Sequence, residues 1–236
     1  MITLCIDEGN SRLKYGLFEH DVLIKSGTAL EEIKTDSVSR AIVSTVVSPS
    51  SAQKWCTKNQ IPVHLLSYHS RLPFSIIYET PETLGNDRIA AVAGSVLLFP
   101  KQNSLIIIAG TCITYNFVNK DSQFSGGAIS PGFVMRLAAM NHFTSKLPAE
   151  NWDGKSLPEL IGSNTKSSLL SGAVNGTVQE VNGIINEYKS RYPDLNIIVS
   201  GGDAAFLVSQ LKNNIFARPQ LLLEGLNYIL KNNDTK

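Results

Sequence analysis

Leu4-Cys5-Ile6-Asp7-Glu8-Gly9-Asn10-Ser11-Arg12-Leu13-Lys14 joins an apolar run to a second strand through a turn centred on glycine. Gly9 gives the backbone its freedom there, and N–H groups at such a turn point outward, where an anion can meet them. The same device returns as Ile106-Ile107-Ile108-Ala109-Gly110-Thr111-Cys112-Ile113-Thr114. A third glycine turn, Ile197-Ile198-Val199-Ser200-Gly201-Gly202-Asp203, follows a strand and opens a helix. Two strand-turn-strand loops that face each other can hold a triphosphate.

Around the first turn the chain reads as a meander of strands over 2–6, 13–18 and 22–26. A β-branched run follows at 41–46, then a helix from about 49 to 58 with Ser48 as its cap and Pro49 in its first position. A short strand at 63–66 and an apolar helix at 86–99, stopped by Pro100, complete this part. The pattern then restarts. Strands are expected at 105–108 and 113–118, with a hairpin return through 121–127. Helices are expected near 133–141 and 166–188, a strand at 196–199, and helices at 204–211 and 219–231. The repetition predicts an α/β fold of two related domains, 1–100 and 101–236, with a cleft between them.

Composition narrows the function. The chain has 236 residues, 43% hydrophobic and 17% charged, with a formal net charge of +1. That balance gives no electrostatic reason to expect nucleic acid or an anionic membrane as partner. Cys5, Cys56 and Cys112 lack metal-ligand spacing and read as reduced thiols. His20, His64, His69 and His142 are scattered. The chain enters a strand without a basic, apolar leader, and its longest apolar stretch, 89–99, is too short to cross a bilayer. A cytoplasmic protein is expected.

The residues with chemical capacity lie at the turns. Asp7 closes a buried strand and suits Mg²⁺ or its water shell, though a turn-forming aspartate that bonds its own backbone would look the same. Lys14, on the returning strand, can reach phosphate oxygens or stand exposed. In Tyr78-Glu79-Thr80-Pro81-Glu82-Thr83-Leu84-Gly85-Asn86-Asp87-Arg88, a loop ends and a helix opens. Asp87 there suits a general base and Arg88 a substrate-positioning cation. Both equally suit a helix N-terminus and a surface pair. Gly110-Thr111 offers backbone donors and a hydroxyl. Gly126-Gly127-Ala128-Ile129-Ser130-Pro131-Gly132 suggests close approach of a ligand or another chain, or an irregular loop. Asn164-Thr165 suits a helix cap. The turn at Ser200 to Asp203 can admit a base or phosphate, or be a plain strand-to-helix connection.

Taken in order, these motifs cover nearly the whole chain and resemble type III pantothenate kinase. That family falls in the ATP-clamping superfamily of actin, the heat-shock chaperone ATPases and the sugar kinases. The Tyr78-to-Arg88 segment carries most of the likeness. The resemblance implies two ribonuclease-H-like domains around an ATP cleft, and phosphorylation of pantothenate in the first step of coenzyme A synthesis. It implies that Asp7, Glu8, Gly9, Asn10, Ser11, Arg12, Leu13 and Lys14 bind ATP with Mg²⁺, together with Gly110 and Thr111. It implies that Asp87 is the base, and that Tyr78, Gly85, Asn86, Asp87, Arg88 and Thr165 line the pantothenate site of a homodimer, near the subunit interface. The family usually holds a monovalent cation, K⁺ or NH₄⁺, on an aspartate two residues before the second glycine. Here that position is Ile108, which has no oxygen to offer. A kinase for another small alcohol and a catalytically weak regulatory protein of the same fold are the alternative expectations.

Overall fold

The computed structural model describes residues 1–9, 12–211 and 215–233. Two of the candidates above, Asn10 and Ser11, lie outside the described residues. In chain order the elements are β1 (Ile2–Glu8), β2 (Leu13–Glu19), β3 (Val22–Gly27), β4 (Val38–Thr45), α1 (Ser51–Lys58), β5 (Val63–Leu65), β6 (Ser75–Ile76) and α2 (Asn86–Leu98). There follow β7 (Ser104–Ala109), β8 (Cys112–Val118), β9 (Gln123–Pro131), α3 (Phe133–His142), α4 (Thr165–Arg191), β10 (Asn196–Ser200), α5 (Ala204–Gln210), β11 (Phe216–Ala217) and α6 (Leu221–Asn232). The fold is α/β, as the strand and helix patterns predict.

The chain forms two compact units. One contains 1–102, 117–126 and 220–236; the other contains 103–116 and 127–219. The units are discontinuous in sequence, which a single boundary at 100/101 does not describe. The first unit takes in both 117–126, from the end of β8 into β9, and the C-terminal helix, which packs on α2.

The first unit is built on a sheet of order β3-β2-β1-β4-β5. β1 pairs antiparallel with β2 and parallel with β4. Alternate residues of β1 serve opposite faces, as strand geometry requires. Leu4 and Ile6 join Tyr15, Leu17, Ala41 and Val43 against Ala52 and Cys56 of α1. On the other side, Thr3 donates from its hydroxyl to Asn227 Oδ1 of α6 at 2.9 Å. Asn227 in turn donates to the His20 carbonyl at 2.9 Å, so this buried amide is satisfied.

α2 is buried all round from Arg88 to Val96, because α6 crosses it. Glycine makes that crossing close. A Cβ on Gly94 would stand 2.5 Å from the Leu221 carbonyl oxygen, and one on Gly225 would overlap the Ala90 carbonyl.

The start of α1 differs from expectation. The cap is Ser50, whose Oγ accepts from the Gln53 N–H at 3.0 Å, and the helix begins at Ser51. The cause is Glu8, whose Oε1 accepts from the N–H groups of Ser51 at 2.9 Å and Ala52 at 3.2 Å. A carboxylate that takes the first free donors of a helix fixes where it starts.

The second sheet has the order β11-β10-β7-β8-β9-β6, with β10 parallel to β7 and β11 and β6 parallel to β9. Leu105, Ile107, Ala109, Ile113, Tyr115, Ile197 and Val199 form one face of this sheet. Val174, Val178, Val181 and Ile185 of α4 recur at helical spacing and cover it. α4 opens on Asn164 and Ser167, which cap each other's backbone. The short strands β6 and β11 were not foreseen; each is two residues long and carries no periodic signal.

Candidate active site

Asp7 stands near the carboxyl end of β1, where parallel strands of α/β sheets commonly receive ligands. Its partner across the sheet is Lys14 on β2 and, on the other side, Ser44 on β4. Ser44 Oγ donates to Asp7 Oδ1 at 3.2 Å. Burial and then the charge of Asp87 push the Asp7 carboxyl up to about 6, against the pull of Ser44 and Lys14. Two carboxylates that feel each other in a partly dry site are the arrangement a divalent cation relieves.

Asp87 arrives at this place because α2 is anchored there. Gly85 is its N-cap residue, and Asn86 Nδ2 donates to the Thr45 carbonyl at the end of β4, 3.2 Å away. Asp87 Oδ1 accepts the Arg88 N–H at 2.9 Å. A Cβ on Gly85 would stand 2.5 Å from Asp87 Oδ1, so the glycine leaves room for that carboxylate. Burial raises the Asp87 pKa; the Arg88 N–H and guanidinium oppose it without cancelling it. A base with a raised pKa is better matched to an alcohol's proton than an ordinary carboxylate.

Arg88 is only 5% exposed. Its guanidinium lies over the Tyr78 ring at 5.7 Å and the Phe124 ring at 5.6 Å. Tyr78 in turn packs on Gly126, where a Cβ would come within 2.8 Å of the ring. The positive charge beside Asp87 is thus held by aromatic faces.

Glu8 has a different task from the one its place in the turn suggests. It is 5% exposed, and Oε2 accepts from Ser50 Oγ at 2.5 Å while Oε1 takes the Ser51 hydroxyl and two helix N–H groups. Burial works against the charge, but the hydrogen bonds from Ser50, Ser51 and Thr45 prevail and keep its carboxyl below the ordinary value. Leu13 packs its side chain on the core of the first unit, which leaves only its backbone for a ligand. The Gly9 N–H donates to the Arg12 carbonyl at 3.1 Å and so closes the turn; Arg12 itself is exposed.

In the second unit, Gly110 and Thr111 connect β7 to β8. Nothing lies within 4 Å of where a Gly110 Cβ would be, and Thr111 is exposed. The Thr111 carbonyl accepts the Gly132 N–H at 3.0 Å, and the Ala109 carbonyl accepts that of Asp203 at 3.1 Å. Thr165 is the exposed first residue of α4, beside its Asn164 cap.

The glycine-rich stretch 126–132 is not an irregular loop. It is mostly strand β9, and what crowds its glycines is this chain's own backbone. A Cβ on Gly127 would overlap the Tyr115 carbonyl, and one on Gly132 the Gly110 carbonyl. The third glycine turn is similar in part. Gly201, at φ +101°, is crowded by Ala109, whereas nothing lies near a Gly202 Cβ.

The position expected to hold a monovalent cation carries an alkyl side chain instead of a carboxylate. Ile108 presents a half-buried alkyl group. Asn116 Nδ2 donates to the Ile106 carbonyl at 3.2 Å and to Thr114 Oγ1 at 3.0 Å.

Sequence reasoning missed Ser44, Phe124 and the role of Gly126. Their contacts depend on strand pairings that no local pattern announces. Among the described residues no cluster of three or more acidic, His or Cys groups offers a metal site, and no helix is long and apolar enough to cross a membrane.

The family model "Type III pantothenate kinase" matches residues 26–187 of this chain. A type III pantothenate kinase of Christiangramia forsetii is 41% identical over 245 aligned positions, which cover 100% of both chains. The crystal structure of a conserved putative Baf family transcriptional activator from Campylobacter jejuni superposes with a TM-score of 0.64 at 22% identity, over 98% of each chain. A putative N-acetylmannosamine kinase from Listeria monocytogenes gives a TM-score of 0.53 at 14% identity, over 99% of this chain and 100% of that one. At such identities the solved structures speak to the fold alone: the chain shares its α/β fold with them.

Proposed function

The chain belongs to the type III pantothenate kinase family, and we propose the following roles for its groups. The protein is a kinase that phosphorylates pantothenate with ATP to give 4′-phosphopantothenate, the first step of coenzyme A biosynthesis. The observation that carries the assignment is the placing of two carboxylates, Asp7 near the carboxyl end of β1 and Asp87 in the first turn of α2.

Asp87 takes the proton of the primary hydroxyl of pantothenate as that oxygen attacks the γ-phosphorus in line. Its raised pKa supports this role. Arg88 supplies the positive charge that a carboxylate substrate requires, and Tyr78, Gly85, Asn86 and Thr165 shape the rest of the pantothenate site. The turn from Asp7 to Lys14 and the turn at Gly110-Thr111 each give ATP phosphates backbone donors, with Lys14 and the Thr111 hydroxyl beside them. Asp7 would hold Mg²⁺, whose charge, when bound, offsets that of the phosphates. Glu8 supports the first turn from behind, through α1, rather than touching ATP.

Exposed apolar side chains on the second unit, among them Ile129, Val134, Phe143 and Ile161, support a homodimer. A cytoplasmic site of action agrees with a biosynthetic kinase that uses ATP.

Asp7→Asn tests the nucleotide role. The KM for ATP is expected to rise about tenfold or more, roughly 1.4 kcal/mol, while that for pantothenate stays within about twofold. A rise confined to pantothenate would contradict the assignment. The same variant has a stability signature. The native pKa of Asp7, about 6, lies above its ordinary value of 3.8, so the ionised group opposes folding at neutral pH. Asp7→Asn should therefore raise the Tm of the ligand-free protein at pH 7.5. That gain should shrink as pH falls through 6 and be gone below about 4. A Tm equal to wild type at pH 7.5 would show that the carboxylate is not strained.

Cation dependence follows from Ile108. In buffer free of monovalent metal ions, kcat/KM is expected to change little when K⁺ or NH₄⁺ is added. Activation of tenfold or more, about 1.4 kcal/mol of barrier, would show that another set of groups holds the ion.

A further inference from the structure

We infer that Arg136, held by Glu180, is a positioning residue that sets the Gly110-Thr111 turn for the phosphates of ATP. The inference rests on the reading of that turn as a phosphate site. The turn is two residues long and exposed at Thr111, so its backbone needs support from outside the hairpin. On the Thr111 side that support is Gly132, whose N–H donates to the Thr111 carbonyl at 3.0 Å. Gly132 is pressed so close to Gly110 that no Cβ fits.

Gly132 is in turn fixed by Arg136. The Arg136 guanidinium folds back along α3 instead of extending into solvent. Its Nε donates to the Pro131 carbonyl at 2.9 Å and a terminal nitrogen donates to Ser130 Oγ at 2.7 Å. The Arg136 N–H also donates to the Gly132 carbonyl at 3.0 Å. The side chain therefore grips Ser130 and Pro131, the two residues that lead into Gly132, while the backbone bond to Gly132 itself is the first of α3.

Glu180 of α4 locks the grip. Its Oε2 pairs with the Arg136 guanidinium at 2.5 Å and its Oε1 accepts from Tyr115 Oη at 3.0 Å. Burial disfavours the carboxylate, yet hydrogen bonds from Arg136, Ser130 and Tyr115 hold it ionised. Tyr115 lies on β8, four residues beyond Thr111, so the network starts and ends on the strand that the turn opens. Arginine suits the task because its planar fork reaches several acceptors at fixed angles, which an ammonium cannot do. A pair that is about a quarter exposed contributes modestly to stability, which leaves geometry as its main product.

The test compares Arg136→Gln, Arg136→Lys, Glu180→Gln and Thr111→Val with wild type, by steady-state kinetics in each substrate and by Tm. Arg136→Gln is expected to raise the KM for ATP about tenfold and leave that for pantothenate within twofold. Arg136→Lys should recover part of the loss, since it keeps the charge on Glu180 without the fork. Glu180→Gln retains the arginine's bonds to Ser130 and Pro131. It carries the test if Arg136→Gln does not fold, with a smaller rise in the same KM. A Tm loss with both KM values unchanged would overturn the inference, because that is what a purely structural pair does. If Thr111→Val raises the KM for ATP and neither Arg136→Gln nor Glu180→Gln does, the support is misassigned while the phosphate turn stands. If Thr111→Val leaves that KM untouched, the turn reading fails and this inference falls with it.

Discussion

Asp87→Asn is expected to lower kcat by about 10²–10⁴-fold and to leave the protein folded. The substitution is nearly isosteric. Its amide oxygen can still accept the Arg88 N–H that Asp87 Oδ1 accepts now at 2.9 Å. What it removes is the capacity to take a proton. It also removes a buried carboxylate whose pKa burial already raises, so the Tm should stay level or rise. The neighbouring carboxyl should respond too, because the charge of Asp87 is one cause of the raised pKa of Asp7. In Asp87→Asn, Asp7 should titrate closer to its ordinary value, and ATP binding should persist to lower pH than in wild type. Near-normal turnover in a folded Asp87→Asn protein would remove the assigned base.

Gly225→Ala should be the most damaging single methyl in the first unit. A Cβ there meets the Ala90 carbonyl oxygen and stands 2.7 Å from the Gly94 N–H, and both obstacles are backbone. Neither can swing aside as a side chain would, so α6 must move off α2. Overpacking of this kind costs about 1–3 kcal/mol, and a backbone obstacle places it toward the upper end. For a chain of this length each kcal/mol is worth roughly 2–4 °C, so a Tm loss of about 6–12 °C is expected. The gain in helix propensity from replacing glycine, about 1 kcal/mol, works the other way and is too small to compensate. Activity should suffer with stability, because α2 presents Asp87 and Arg88 at its first turn. An unchanged Tm would mean that the helices do not cross at these glycines.

Most of the strands were legible because each is a short apolar run beside a turn; the two-residue β6 and β11 carry no such run. Leu4 to Ile6 and Ile106 to Ala109 announce themselves, and the helix over 86–98 does so by its apolar spacing. The opening of α2 after Gly85, with Asp87 and Arg88 in its first turn, was legible because a loop there gives way to apolar residues at helical spacing. Long-range contacts were not legible. Glu8 was read as a phosphate-turn residue, yet its carboxylate serves Ser51, which lies 43 positions away. The same contact moved the cap of α1 from Ser48 to Ser50. The glycines of 126–132 signalled close approach correctly, but a sequence cannot say whose backbone approaches. Arg136 and Glu180 lie 44 positions apart on separate helices, and nothing local to either marks the pair. The return of α6 to the first unit was hidden for a similar reason: its pattern predicts a helix and not the helix it crosses.

The central claim is that this chain moves the γ-phosphate of ATP onto pantothenate with Asp87 as base. The most direct test incubates wild type and Asp87→Asn with ATP, Mg²⁺ and pantothenate, and follows 4′-phosphopantothenate and ADP by mass spectrometry. The account predicts that wild type forms the two products in equal amounts and that Asp87→Asn forms almost none. ADP without 4′-phosphopantothenate in wild type, or undiminished product from Asp87→Asn, would contradict it.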